Sequence, residues 1–197
     1  SGQLYFSNPD TAIQIAEQAL HIYKEKHIEK GIASAYNHLG VFHRIKSDYP
    51  TALDYLHKSL EIRVSLNDKK GIAASYNNIG IIYRNQSSYP QALRYYFKAL
   101  KIYKELGEKS TALAASYNNI GNIYYNQSSY PQALGYYFKS LKIKKQLGDK
   151  KGMAYSYDNI AKLYTSFFVN DTLERGLFLT AQQDSLHIVH YALLDSR

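Results

Sequence analysis

The chain has 197 residues, 45% apolar and 20% charged, long enough to bury a sizeable core in one domain or two. No run reaches the ~18 apolar residues that a membrane helix needs, no signal peptide opens the chain, and zero cysteines exclude a disulfide framework, a thiolate zinc site and a cysteine nucleophile. A net charge of +8 favours acidic partners: a carboxylate-bearing peptide, a nucleic acid or an anionic surface.

From the N-terminus, Ala12, Ile13, Ala16, Ala19 and Leu20 recur at helical steps and predict a helix from Asn8 to Tyr23. Gly31 then opens GIASAYNHLG, Gly71 opens GIAASYNNIG, and SYNNIG stands at Ser75 to Gly80 and again at Ser116 to Gly121. At an offset of 41, residues 75–110 differ from 116–151 at eight positions, among them Ile81/Asn122 and Arg84/Tyr125. A further copy begins at Gly152 as GMAYSYDNIAKLY. A fixed period of 40 to 41 residues makes the chain a repeat array.

Each unit reads as two helices. In the unit from Gly71, the residues Ala73, Tyr76, Ile79, Gly80 and Tyr83 keep three- and four-residue steps, and Ser87 to Pro90 interrupts them. Proline suits a first helical turn, and the pattern resumes with Ala92, Leu93, Tyr96, Ala99, Leu100 and Tyr103 to about Leu106. Gly107 and Gly148 offer left-handed stops. No stretch alternates with period two, so strands are not expected. After Tyr164 the unit pattern lapses. Leu186, Val189, His190 and Leu193 could line one face of a helix, and the tail reads as a cap over the last apolar face.

The run Tyr76, Ile79, Gly80, Tyr83, Tyr89, Ala92, Tyr96, Ala99 resembles the tetratricopeptide repeat, as do Tyr36, Leu39, Gly40, Tyr49, Ala52, Ser59 and Tyr117, Ile120, Gly121, Tyr124, Tyr130, Ala133, Tyr137, Ser140. The resemblance implies an all-α, right-handed α-solenoid of antiparallel helix pairs in one repeat domain over 1–197. Its parts are a partial unit at 8–30, repeats at 31–70, 71–110 and 111–151, a first helix at 152–168 and an atypical cap at 169–197. The long units look like those of Pins-type adaptors and bacterial sensor-kinase input regions. In this family the first helices line the concave groove, which makes their free face the expected binding surface.

Counting the first helix from Ala73 as slot one and turning ~100° per residue, slots two, five, six, nine, twelve and thirteen oppose the core slots. Slot five carries Asn37, Asn77, Asn118 and Asp158; slot six carries His38, Asn78, Asn119 and Asn159. Paired asparagines are poor helix-interior residues and need a reason. A ladder of amides can grip an extended peptide backbone, or each can bond to a neighbouring repeat. Slot twelve adds Arg44 and Arg84, which could hold carboxylates or phosphates, then Tyr125 and Thr165. Slot nine runs Val41, Ile81, Asn122, Lys162, a change from apolar to polar that could set a ligand's direction.

Other basic residues, Arg63, Lys98 and Lys144 among them, fall on second helices and read as a solvated back. That spread argues against nucleic-acid binding, which wants one tracking stripe or a base-stacking platform. No phosphate loop, HExxH or GxSxG occurs, and His187 and His190 lack a third ligand in register, so neither catalysis, metal nor cofactor is expected. The chain reads as a non-catalytic, cytoplasmic scaffold for a protein or peptide with acidic groups. The alternative is the sensory or dimerisation input domain of a larger signalling protein. Near-identical units would also allow a homodimer by domain swapping.

Overall fold

The computed structural model describes residues 8–107 and 109–170. The cap expected over 169–197, with His187 and His190, lies outside them beyond Asn170. The described residues form eight helices: α1 (Pro9–Glu25), α2 (Glu29–Ile45), α3 (Tyr49–Ser65), α4 (Lys69–Asn85), α5 (Tyr89–Glu105), α6 (Thr111–Asn126), α7 (Tyr130–Gln146) and α8 (Lys150–Asn170). Two compact units divide them, Ser1–Glu108 holding α1 to α5 and Lys109–Arg197 holding α6 to α8. Within each unit every helix packs on the next in sequence, as in an α-solenoid, and in the first unit α2 also meets α4. Among the described residues no helix is long and apolar enough to cross a membrane.

The turns explain the period. A left-handed residue follows the end of each helix from α1 to α7: His27, Ser47, Asn67, Ser87, Gly107, Ser128 and Gly148, with φ between 51° and 67°. Folding the chain back this way lets the next amide reach the last turn's carbonyls, as in Asp48 N–H to His43 O at 2.9 Å and Ser88 N–H to Tyr83 O at 2.8 Å. These residues stand 20 apart except across the α5–α6 link, where the interval is 21. A 17-residue helix and a three-residue turn therefore form the half-unit, and two halves make the 40-residue period. The helices α2, α4 and α8 start two residues ahead of the boundaries at 31, 71 and 152.

Entry into the helices is set by side chains. Proline occupies the first turn of α1, α3, α5 and α7, where no N–H is lost. Asp48, Asp68 and Asp149 accept N–H bonds from Thr51, Gly71 and Gly152 at 3.3, 3.0 and 2.8 Å, capping α3, α4 and α8.

Leucine and isoleucine fill the layers between helices, with Leu56 and Ile79 at the centre of the first unit and Leu141, Ile160 and Leu163 in the second. Small residues set the approach of each pair. Ser59 and Ser140, where α5 has Ala99, donate to the carbonyls of Ala33 and Ala114 at 2.7 and 2.8 Å, so a hydroxyl is buried without cost of an orphan.

Two cations assigned to the solvated back turn inward instead, Lys144 buried and Arg63 half-buried. Lys144 is buried and its ammonium donates to Ser156 Oγ at 2.8 Å; burial holds its pKa below the usual lysine range. Arg63 takes the same position in α3 and donates to Gly71 O and Ser75 Oγ at 2.7 and 2.9 Å. Long stems let both charges cross the packed layer and end on the following helix.

Candidate functional site

Helices α2 and α4 meet side by side, so the slots predicted to oppose the core come together across repeats. Asn78 Nδ2 donates to Asn37 Oδ1 at 2.9 Å, joining slot six of one repeat to slot five of the repeat before it. The second unit repeats the bond: Asn159 Nδ2 donates to Asn118 Oδ1 at 2.9 Å. Asn77 turns the other way, to the Tyr103 hydroxyl on α5. Four of these amides thus bond repeat to repeat. Each bond uses one of two N–H donors on one partner and one lone pair on the other, and all four residues are half-buried at the surface. Asn119 is half-buried on the same face of α6.

Nearly two turns further on, the two units differ. In the second, Asn122 Oδ1 accepts the Tyr137 hydroxyl at 2.9 Å, and the Tyr125 hydroxyl pairs with Ser166 Oγ at 2.7 Å. Every named polar group there closes on another. On α8, Lys162 pairs with Asp158 at 2.6 Å.

In the first unit the corresponding residues are Ile81 and Arg84, and nothing closes. Tyr96, fully buried beneath Gly80, has a hydroxyl with no partner, because Ile81 offers no acceptor where Asn122 does. Burial pushes its pKa up to about 12, against the opposing charges of Arg84 and Arg44. The Arg44 Nε is buried and also without a partner. Burial, and then the charge of Arg84, hold the Arg44 guanidinium below its usual range. Arg84 makes a single long contact, to Asn85 Oδ1 at 3.4 Å. Among the described residues neither arginine has an ion pair.

The predicted residues therefore separate. Asn37, Asn78, Arg44 and Arg84 share the α2–α4 face, Asn118, Asn119, Asn159, Asn122 and Tyr125 lie in the second unit, and Asn77 serves the α4–α5 contact. Sequence reasoning missed Tyr96 as a polar participant, since tyrosine in a repeat slot reads as filler. The signal was present: Tyr96 and Tyr137 are unchanged between copies while the residue above each changes from Ile81 to Asn122.

Removing each hydroxyl should therefore have opposite effects. Tyr96→Phe deletes an orphan and should raise the unfolding free energy by about 1 kcal/mol, whereas Tyr137→Phe breaks a made bond and should lower it by a similar amount. Urea melts of the two variants give the signs; the same sign for both would contradict this assignment.

A family model described as tetratricopeptide repeat matches residues 31–105, and a second of the same description matches residues 113–147. None of the curated proteins compared matches the chain. Solved structures share the fold. Aspartyl phosphate phosphatase F from Bacillus subtilis is 18% identical at TM-score 0.74, covering 96% of this chain and 47% of that one. A putative kinesin light chain from Podosopora anserina with nearly identical TPR-like repeats is 12% identical at TM-score 0.69, covering 99% and 92%. BtubC (BKLC) from P. vanneervenii is 18% identical at TM-score 0.66, covering 97% and 85%.

Proposed function

Because the chain belongs to the tetratricopeptide repeat family, whose repeats form protein-interaction scaffolds, we propose that it holds an extended, acidic segment of a partner protein against its first helices. What carries the reading is the α2–α4 face, where the Asn37–Asn78 amide pair and two arginines without counter-ions stand on one surface. The amides would meet the peptide backbone regardless of sequence, and the guanidinium groups would select carboxylates. An extended ligand can use both, because its N–H and C=O groups have no partners within its own chain and exchange bonds to water for bonds to the protein.

A display library of unstructured peptides, read by fluorescence anisotropy, tests this directly. Acidic sequences should be enriched, and Asn78→Ala should weaken the best of them about tenfold, or ~1.4 kcal/mol. Because Asn78 also bonds to Asn37, the variant should lose about 1 kcal/mol of stability while keeping its helicity. A library without binders, or binders indifferent to the variant, would remove the reading. Binding of single-stranded RNA with a steep salt dependence would replace it by nucleic-acid recognition.

A second reading, an input region of a longer signalling protein, draws on the fold shared with aspartyl phosphate phosphatase F, of which the chain spans about half. Coding sequence beyond Arg197 decides it, since kinase or other output motifs must follow there.

A further inference from the structure

We infer that this chain associates head to tail with further copies of itself, the free face of α8 in one molecule receiving α1 of the next. The association does not depend on the peptide ligand proposed above. In α2, α4 and α6 slots one and eight hold Ala33 and Gly40, Ala73 and Gly80, and Ala114 and Gly121, all of them buried. The second helix of the same repeat lies against them, through Ser59 or Ser140 at slot one and through Leu56, Tyr96 or Tyr137 at slot eight. On α8 the same slots hold Ala154 and Ala161, and both are exposed.

The complementary deficit stands on α1. Tyr55, Tyr95 and Tyr136 of the other second helices stack on rings of α2, α4 and α6, whereas Ile15 takes their position in α1 and is 45% exposed. Two turns on, Ile22 is 47% exposed where Ile62 and Ile102 are half-buried and Ile143 is buried. Between them Ala19 is half-buried, where Ser59, Ala99 and Ser140 are fully buried. So α1 presents the face by which a second helix meets its first helix, and α8 the face by which a first helix meets its second.

Size matches these two faces to each other. A Cβ on Gly40, Gly80 or Gly121 would stand 2.6, 2.6 or 2.7 Å from the side chain of Leu56, Tyr96 or Tyr137, so a large residue on the second helix demands glycine opposite. The methyl group of Ala161 excludes such a residue from α8, and among the described second helices α1 alone has a small one in that position, Ala16. Alanine against alanine then replaces glycine against leucine or tyrosine. Charge agrees with size: α1 carries Asp10, Glu17 and Glu25 against Lys24, and α8 carries Lys150, Lys151 and Lys162 against Asp158. Antiparallel pairing, as within a repeat, brings Lys150 and Lys151 to the Glu25 end of α1. Because the two faces differ, each added molecule leaves one of each unused, and association runs on into open chains rather than closing at a dimer. One helix laid on another is a small interface, which sets a Kd on the order of 10 µM.

The test follows the intact 197-residue chain by analytical ultracentrifugation between about 2 and 200 µM. The mean mass should climb with concentration past that of a dimer. Ile15→Glu and Ala161→Glu change exposed residues and should keep the fold, yet each alone should stay monomeric, one lacking a working α1 face and the other a working α8 face. Mixed in equal amounts they should form a heterodimer and stop there, since only one competent face of each kind remains. Tyr155→Glu, at a residue 62% exposed in slot two of α8, should associate as the unaltered chain does. A chain monomeric at the highest concentration would overturn the inference, and a loss of stability in Ala161→Glu would then show that the chain covers this face itself. Variants that fail to pair when mixed would overturn it too, as would either variant dimerising alone, which would mean like faces pair.

Discussion

Gly40→Val is expected to lower the unfolding free energy by about 3 kcal/mol, at the upper end of ordinary overpacking. A Cβ on Gly40 would lie 2.6 Å from Leu56 Cγ, closer than real Cβ atoms come, and 3.0 Å from the backbone oxygen of Ala52, tighter than most of their contacts. Neither neighbour can give way, since Leu56 and Ala52 are fully buried and one of the clashing atoms is main chain. Relief requires α2 and α3 to separate, which opens the layer that Leu56 fills. Urea denaturation followed by far-UV circular dichroism measures the loss. Gly135 in α7 is the control. Nothing lies within 4 Å of its Cβ position, and the first copy has Arg94 there, so Gly135→Arg should gain about 0.5–1 kcal/mol from helix propensity. A Gly40→Val protein of unchanged stability would mean that α2 and α3 are not packed this closely.

The largest gain is expected from the turns. Ser47, Ser87 and Ser128 hold φ of 61°, 57° and 57°, a left-handed conformation that costs an L-residue roughly 1 kcal/mol or more and costs glycine almost nothing. Gly107 and Gly148 fill the same place after α5 and α7. Ser47→Gly, Ser87→Gly and Ser128→Gly together should therefore stabilise by about 2 kcal/mol, reduced from the full sum by the greater freedom of glycine in the unfolded chain. The measurement is the shift in urea midpoint at unchanged slope. Should the triple variant be less stable, the serine side chains must contribute bonds that outweigh the backbone strain.

Much of the architecture was legible because the unit recurs. SYNNIG and its relatives mark the first helices, proline marks the start of each second helix, and Ile79, Gly80 and Tyr96 are among the buried residues, as their slots predict. The half-period of 20 was hidden by chemistry. Only two of its seven left-handed residues are glycine, and serine, asparagine and histidine carry no comparable stop signal. Likewise Arg63, Tyr103 and Lys144 share one position, yet three unlike side chains conceal that each reaches inward to the helix beside it.

The face of the candidate site was legible, but its internal bonds were not. A helical wheel places Asn77 and Asn78 opposite the core and is blind to the neighbouring helix. Only the packing of α4 on α2 reveals that slot six of one repeat meets slot five of the last. For the same reason the meaning of Ile81/Asn122 stayed obscure: it depends on a hydroxyl 15 residues away, on the following helix.

The uniform 20-residue interval between left-handed residues gives the array a strict phase. One residue added inside any helix would rotate everything after it by roughly 100° and scatter the shared face around the axis. The chain carries one such extra residue, and it falls between Gly107 and Ser128, where α6 starts late and Ser110 enters it from extended backbone, φ −139°. Between His27 and Gly148 the departure from this interval thus falls at a joint that breaks the rhythm, while elsewhere in that span a helix pair can be gained or lost only whole.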